Sequence, residues 1–86
     1  MLTEQYIQSK IIKELERNGY YVLKLVKTNK NGIPDVLAIK DGKKPIFIEV
    51  KREKGGVISE LQKYRIDELR DQGFEAYVTN GKEKLY

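Results

Sequence analysis

Gly32-Ile33-Pro34-Asp35-Val36-Leu37-Ala38-Ile39-Lys40-Asp41-Gly42 runs on through Ile46-Phe47-Ile48-Glu49-Val50-Lys51, and this stretch reads as two strands joined by a turn. Pro34 suits the start of a strand, where its missing N–H does no harm. From Asp35 to Lys40, alternation puts Asp35, Leu37 and Ile39 on one face. From Lys44 to Lys51 it puts Ile46, Ile48 and Val50 on one face and Phe47, Glu49 and Lys51 on the other. Large apolar residues on both faces predict a central strand covered on both sides. A charge at such a position costs on the order of several kcal/mol unless it is paired, hydrogen-bonded or bound to a metal. Asp35, Glu49 and Lys51 therefore need a reason to be there.

The turn decides whether the two acids meet. A two-residue turn at Asp41-Gly42 pairs positions whose numbers sum to 83, which sets Asp35 against Ile48 and away from Glu49. A three-residue loop, Lys40-Asp41-Gly42 with Gly42 left-handed, pairs positions summing to 82. Asp35 then lies opposite Phe47 and diagonal to Glu49, within reach of a shared ion. A common site predicts an odd-length turn or an equivalent bulge.

Upstream, Thr3 is an N-cap candidate, and Ile7, Ile11 and Leu15, with Ile12 beside them, mark an amphipathic helix that stops at Asn18-Gly19. Glu4 falls on its inward face, where it either complements the helix dipole or serves a site. Tyr20 to Lys27 reads as the first strand. Thr28-Asn29-Lys30-Asn31-Gly32 is a basic loop, either an exposed connector or an approach to a phosphate backbone. Downstream, Arg52-Glu53-Lys54-Gly55-Gly56 is a charged loop. Ser59 caps a helix running to about Gln72, and Ser59-Glu60-Leu61-Gln62 has capping-box spacing. Gln62 either closes that box or faces inward with Ile66 and Leu69. Phe74 to Thr79 reads as a fourth strand, Asn80-Gly81 as a tight turn and Lys84-Leu85-Tyr86 as a short last strand. The whole is one α/β domain over residues 1–86: a mixed central sheet flanked by two α-helices, in the order α-β-β-β-α-β.

Composition narrows the chemistry. The chain has no cysteine and no histidine, which excludes disulfides, zinc fingers and histidine acid–base schemes. A metal must be held by oxygen, which favours Mg2+ or Mn2+. The formal net charge is +4, and acids committed to a site would leave a more basic surface, suited to nucleic acid. No apolar run spans a bilayer and the N-terminus does not read as a signal peptide, so a cytoplasmic protein without membrane attachment is expected. At this size folding buries roughly 60–65% of the unfolded surface, and dimerisation is an expected aid.

Asp35 and Glu49 can hold a divalent ion, with the Val50 backbone carbonyl as a third oxygen and Lys51 beside the negative charge of a phosphate. Against this stands a plain salt-bridged strand pair, worth little at a surface.

The order Gly32-Ile33-Pro34-Asp35, Phe47-Ile48-Glu49-Val50-Lys51, a Gly-containing loop, Gln62 and Leu69-Arg70-Asp71-Gln72-Gly73 resembles the PD-(D/E)XK nuclease superfamily. More narrowly it is similar to the VRR-NUC (virus-type replication-repair nuclease) branch, over nearly the whole chain. The resemblance implies a restriction-endonuclease-like core and a metal-dependent DNA endonuclease. It makes Asp35 and Glu49 the metal-binding acids, Lys51 the catalytic lysine, Gln62 a glutamine at the site and Glu4 a further metal or supporting ligand. The loop Arg52-Glu53-Lys54-Gly55-Gly56 departs from the Gly-Pro-Gly-Asp type of run usual there. Small stand-alone members imply a homodimer acting on branched DNA such as four-way (Holliday) junctions, in replication, recombination or repair. Lys27, Lys30, Arg52 and Lys54 are the expected phosphate contacts. Two rivals remain: a catalytically inactive nucleic-acid-binding module of the same fold, and an unrelated α/β scaffold whose charges are only surface pairs.

Overall fold

Thr3 is an N-cap. Its side chain accepts the Tyr6 N–H at 3.1 Å, and helix α1 follows over Glu4–Arg17. The computed structural model describes residues 3–82. Strands β1 (Tyr21–Lys24), β2 (Val36–Ile39) and β3 (Ile46–Val50) come next, then helix α2 (Glu60–Asp71) and strand β4 (Glu75–Thr79). They form one four-stranded sheet in the order β1-β2-β3-β4. The first two pairings are antiparallel and β3–β4 is parallel. A parallel pair needs a crossover, which α2 supplies.

Alternation divides the sheet into two faces. Val36, Ala38, Ile46, Ile48 and Val50 are all buried and pack with Ile7 and Leu15 of α1. This is the core that the helical spacing of Ile7, Ile11 and Leu15 predicts. Leu15 is completely buried. The other face is covered only in part. Helix α2 lies over β4, with Ile66 and Ala76 buried, and Arg70 donates from Nε and Nη2 to the Ala76 carbonyl at 3.0 and 2.7 Å. Phe47 is half-buried and meets Phe74 edge-on, with ring centroids 6.0 Å apart. Tyr21 and Leu23, in register with Ile39 and Leu37, continue this face with no helix of the described residues above them, and Tyr21 is 68% exposed. The expectation of cover on both sides, made for the third strand, holds there: Ile46, Ile48, Glu49 and Val50 are buried and Phe47 is half-buried.

The β2–β3 turn has odd parity, as a common site requires, but not the expected register. Val36 pairs with Ile48 and Leu37 with Phe47, so paired numbers sum to 84. Lys43 N–H bonds back to the Lys40 carbonyl at 3.1 Å, with Gly42 at φ +78°. Lys43 thus joins the turn, the loop becomes Asp41-Gly42-Lys43, and the pairing moves on. Asp35 comes opposite Glu49, one step past β2 in the same register, and not opposite Phe47.

Strand β1 is shorter than the expected Tyr20–Lys27. Tyr20 turns into the core, 8% exposed, with the Lys40 ammonium 5.3 Å from its ring centre. Leu25 N–H still reaches the Asp35 carbonyl at 2.7 Å, but Val26 beyond it is 88% exposed. Strand β4 begins one residue later than expected. The expected strand at Lys84-Leu85-Tyr86 lies outside the described residues. No helix among the described residues is long and apolar enough to cross a membrane.

Candidate active site

The site forms where β2 begins, β3 ends and α2 begins. Glu49 is the centre. It is a carboxylate on the last turn of pleat in β3, yet only 2% exposed. Its Oε2 receives two donors: Gln62 Nε2 at 3.0 Å and Lys51 Nζ at 3.5 Å. Its Oε1 is buried and has no donor among the described residues. A buried acceptor without a partner costs about 1–3 kcal/mol, more for a charged group. Burial, and next the charge of Asp35, push the Glu49 pKa from 4.5 up to about 7, against the opposing pull of Lys51.

Asp35 stands directly across from it. Its Oδ2 accepts the Val50 N–H at 3.2 Å, which fixes the carboxylate at the edge of β3. Within a strand, N–H and C=O of one residue leave from the same edge. The Val50 carbonyl therefore points to the side where Asp35 sits. The glycine before Pro34 has a positional task. Gly32 has φ +85°, and a Cβ there would stand 2.8 Å from Leu61 Cγ in the first turn of α2. The Asp35 approach is thereby pressed onto the helix that carries Gln62. Arg65, one turn further along α2, holds the same loop by donating to the Asn31 carbonyl at 2.8 Å.

Lys51 follows β3, its side chain 19% exposed, so its ammonium lies at the rim of the site. Gly56 returns the loop tightly over it: a Cβ at Gly56 would collide with the Arg52 carbonyl and crowd Lys51 Cβ at 3.0 Å. Gln62 occupies both of its alternative roles at once. It closes the capping box with Ser59 and also donates to Glu49. Glu4 reaches the site's margin, where its Oε2 accepts the Arg52 N–H at 3.2 Å. Among the described residues no three acids gather as a metal-holding group. The structure thus brings Asp35, Glu49, Lys51 and Gln62 together and sets Glu4 beside the strand end.

The expected phosphate contacts lie on the two loops that adjoin this centre. Lys27 and Lys30 line an open polar pocket with Thr28, Asn31 and Gly32. Arg52 bonds to the Lys54 carbonyl at 2.9 Å, which shapes its own loop, and Lys54 is exposed. Sequence reasoning missed the Asp35–Val50 bond and the Arg65 clamp. The first depends on register, and the second pairs residues 34 positions apart, so neither leaves a local signal.

This arrangement matches a known family. A family model described as the VRR-NUC domain matches residues 2–83. The chain belongs to the VRR-NUC domain family. A solved structure named VRR_NUC domain is 26% identical, with a TM-score of 0.78 over 90% of this chain and 84% of that one. A second, named VRR_NUC domain protein, is 22% identical and shares the fold, with a TM-score of 0.73 over 92% of this chain and 78% of that one. A search of curated proteins finds no match. The surface-pair alternative fails on burial in this VRR-NUC domain, since the Glu49 side chain is only 3% exposed.

Proposed function

We propose that this VRR-NUC domain is a DNA endonuclease that uses Mg2+ or Mn2+ to hydrolyse phosphodiester bonds. The observation that carries the proposal is the orphaned Oε1 of Glu49, buried beside the Asp35 carboxylate. Two acids held together away from water favour a shared positive charge. The donor set is all oxygen, which fits a hard divalent ion. Asp35, Glu49 and the Val50 carbonyl are the residues to hold it. The chemistry such an ion supplies when bound is polarisation of the phosphoryl group and a lowered pKa for water.

The chain's own groups do the rest. Lys51, at the rim, offers an ammonium to a phosphoryl oxygen as negative charge grows there. Gln62 holds Glu49 Oε2, so that Oε1 keeps its lone pairs for the site. Val50 N–H keeps Asp35 in place. Lys27, Lys30, Arg52 and Lys54 sit on the loops leading into Asp35 and out of Lys51, and contact phosphates without reading bases. Contacts of this kind recognise shape and charge, which suits branched DNA such as four-way junctions. Cutting two strands symmetrically takes two sites, hence a homodimer. The uncovered apolar face of Tyr21, Leu23 and Ile39 supports such an association.

The test is nicking of flaps, forks, nicked duplexes and four-way junctions by the pure protein with Mn2+. Asp35→Ala is expected to abolish cleavage and to keep DNA binding. Binding without cleavage by the unaltered protein would overturn the enzyme in favour of a nucleic-acid-binding module.

A further inference from the structure

Gln62 has a side-chain amide with two different ends, and the structure gives each a different neighbour. Its Oε1 accepts the Ser59 N–H at 3.0 Å. Its Nε2 donates to Glu49 Oε2 at 3.0 Å. Ser59 Oγ in turn accepts the Gln62 backbone N–H at 3.1 Å. A backbone N–H can only donate, and an ionised carboxylate can only accept. Turning the amide over would set N–H against N–H at Ser59 and oxygen against oxygen at Glu49. Both bonds would be lost together.

We infer that Ser59 is a positioning residue for the site: its backbone N–H fixes the Gln62 amide so that a donor always faces Glu49 Oε2 and the other carboxylate oxygen stays free. The inference rests on the reading of Glu49 as a metal ligand for its consequence, but not for its geometry. A capping box alone needs only an acceptor at position 62, so glutamate would serve it equally. Only the bond to Glu49 requires an amide. The helix N-terminus and the site therefore share one hinge, and the loop from Lys51 to Ser59 reaches the site through it.

The two halves of Ser59 can be separated. Ser59→Ala removes Oγ and keeps the N–H. Ser59→Pro removes both, and the observed φ of −76° lies within proline's range. The first readout is the side-chain amide of Gln62 in 15N-labelled, metal-free protein at pH 8, where the Glu49 carboxyl is ionised. Its two protons should be well separated, slow to exchange and close to the Glu49 side chain in the unaltered protein and in Ser59→Ala. In Ser59→Pro they should exchange fast and lose that proximity. The second readout is Mn2+ affinity by calorimetry. A residue that orients a metal ligand is typically worth about 10–100-fold in affinity, and that loss is expected in Ser59→Pro and not in Ser59→Ala.

Equal losses in the two variants would overturn the inference, leaving only a helix cap. So would unchanged amide signals and affinity in both. If Ser59→Pro does not fold, the unaltered protein decides alone: a Gln62 amide that exchanges fast and shows no proximity to Glu49 refutes the inference. If Mn2+ binds none of the proteins, the nuclease reading fails, while the amide signals still decide the role of Ser59.

Discussion

Replacing Glu49 by Gln should stabilise the metal-free protein, and the gain should appear only as pH rises. The substitution keeps size and shape. It also keeps an oxygen for Gln62 Nε2 and offers an amide to Asp35. It removes a charge that burial and Asp35 both disfavour. The Glu49 pKa moves from 4.5 in the unfolded chain to about 7 in the fold. Between those values the folded state binds more protons than the unfolded one, so stability falls as pH rises. Below the lower value both states are protonated and no penalty remains. Above the upper value the penalty is complete. At 1.36 kcal/mol per unit the shift is worth roughly 3 kcal/mol. That shift is already net of the Lys51 attraction, and an amide that fits the site less well than the protonated acid leaves the variant a gain of about 1.5–3 kcal/mol at pH 8. At about 4 °C or more per kcal/mol for a domain of this size, that is a rise in Tm of about 6 °C or more. The assay is thermal and urea unfolding of both proteins in EDTA from about pH 4.5 to pH 8. The two stability curves should diverge across that window. Parallel curves, or a less stable variant at pH 8, would refute the reasoning. Adding Mn2+ at pH 8 should stabilise the unaltered protein and leave the variant where it was.

Lys51→Ala should lower cleavage by about 10²–10³-fold, the usual effect of losing one group that faces developing charge. Mn2+ affinity, measured by calorimetry, should survive it, because an ammonium is not a ligand. Gly32→Ala should cost about 1–3 kcal/mol in urea unfolding, since its φ of +85° is strained for alanine and its Cβ would meet Leu61. Gly32→Ala with Leu61→Ala should recover the steric part and not the backbone part, and full additivity would refute the contact.

The sequence carried the alternation within each strand, which sets Glu49 with Phe47 and Lys51, and Asp35 with Leu37 and Ile39. It left the parity of the turn open, as a condition that a common site sets, and the pairing of Val36 with Ile48 meets that condition. It did not carry the register. A turn of Asp-Gly can absorb its flanking lysine on either side, and no side-chain pattern distinguishes a shift of two, which preserves every face. Helix ends were legible to the residue at Thr3 and Ser59, because capping is local chemistry. The bare outer face of β1 and β2 was not. Tyr21, Leu23 and Ile39 alternate as buried residues would, and alternation says nothing about whether a helix lies above them. Gln62 posed two readings by spacing, cap or site, which were not exclusive. One amide has an acceptor and a donor, and the fold uses both.

The arrangement around Glu49 is expensive for a domain of 86 residues. Marginal stability of about 0.05–0.15 kcal/mol per residue gives it roughly 4–13 kcal/mol in all. A penalty near 3 kcal/mol at neutral pH is a large share of that. Simple structural devices would avoid it. A leucine at position 49 would extend the apolar face of Phe47, and a buried pair is often no better than its hydrophobic replacement. The fold instead pays for an acid there and surrounds it with specific donors: Lys51 and Gln62 on one oxygen, Val50 N–H on the neighbouring Asp35. These donors fall on two of the four carboxylate oxygens, Glu49 Oε2 and Asp35 Oδ2, and among the described residues Glu49 Oε1 is left bare. A destabilising group held this firmly, with one oxygen withheld from the protein, makes physical sense when its partner arrives from solution as a cation.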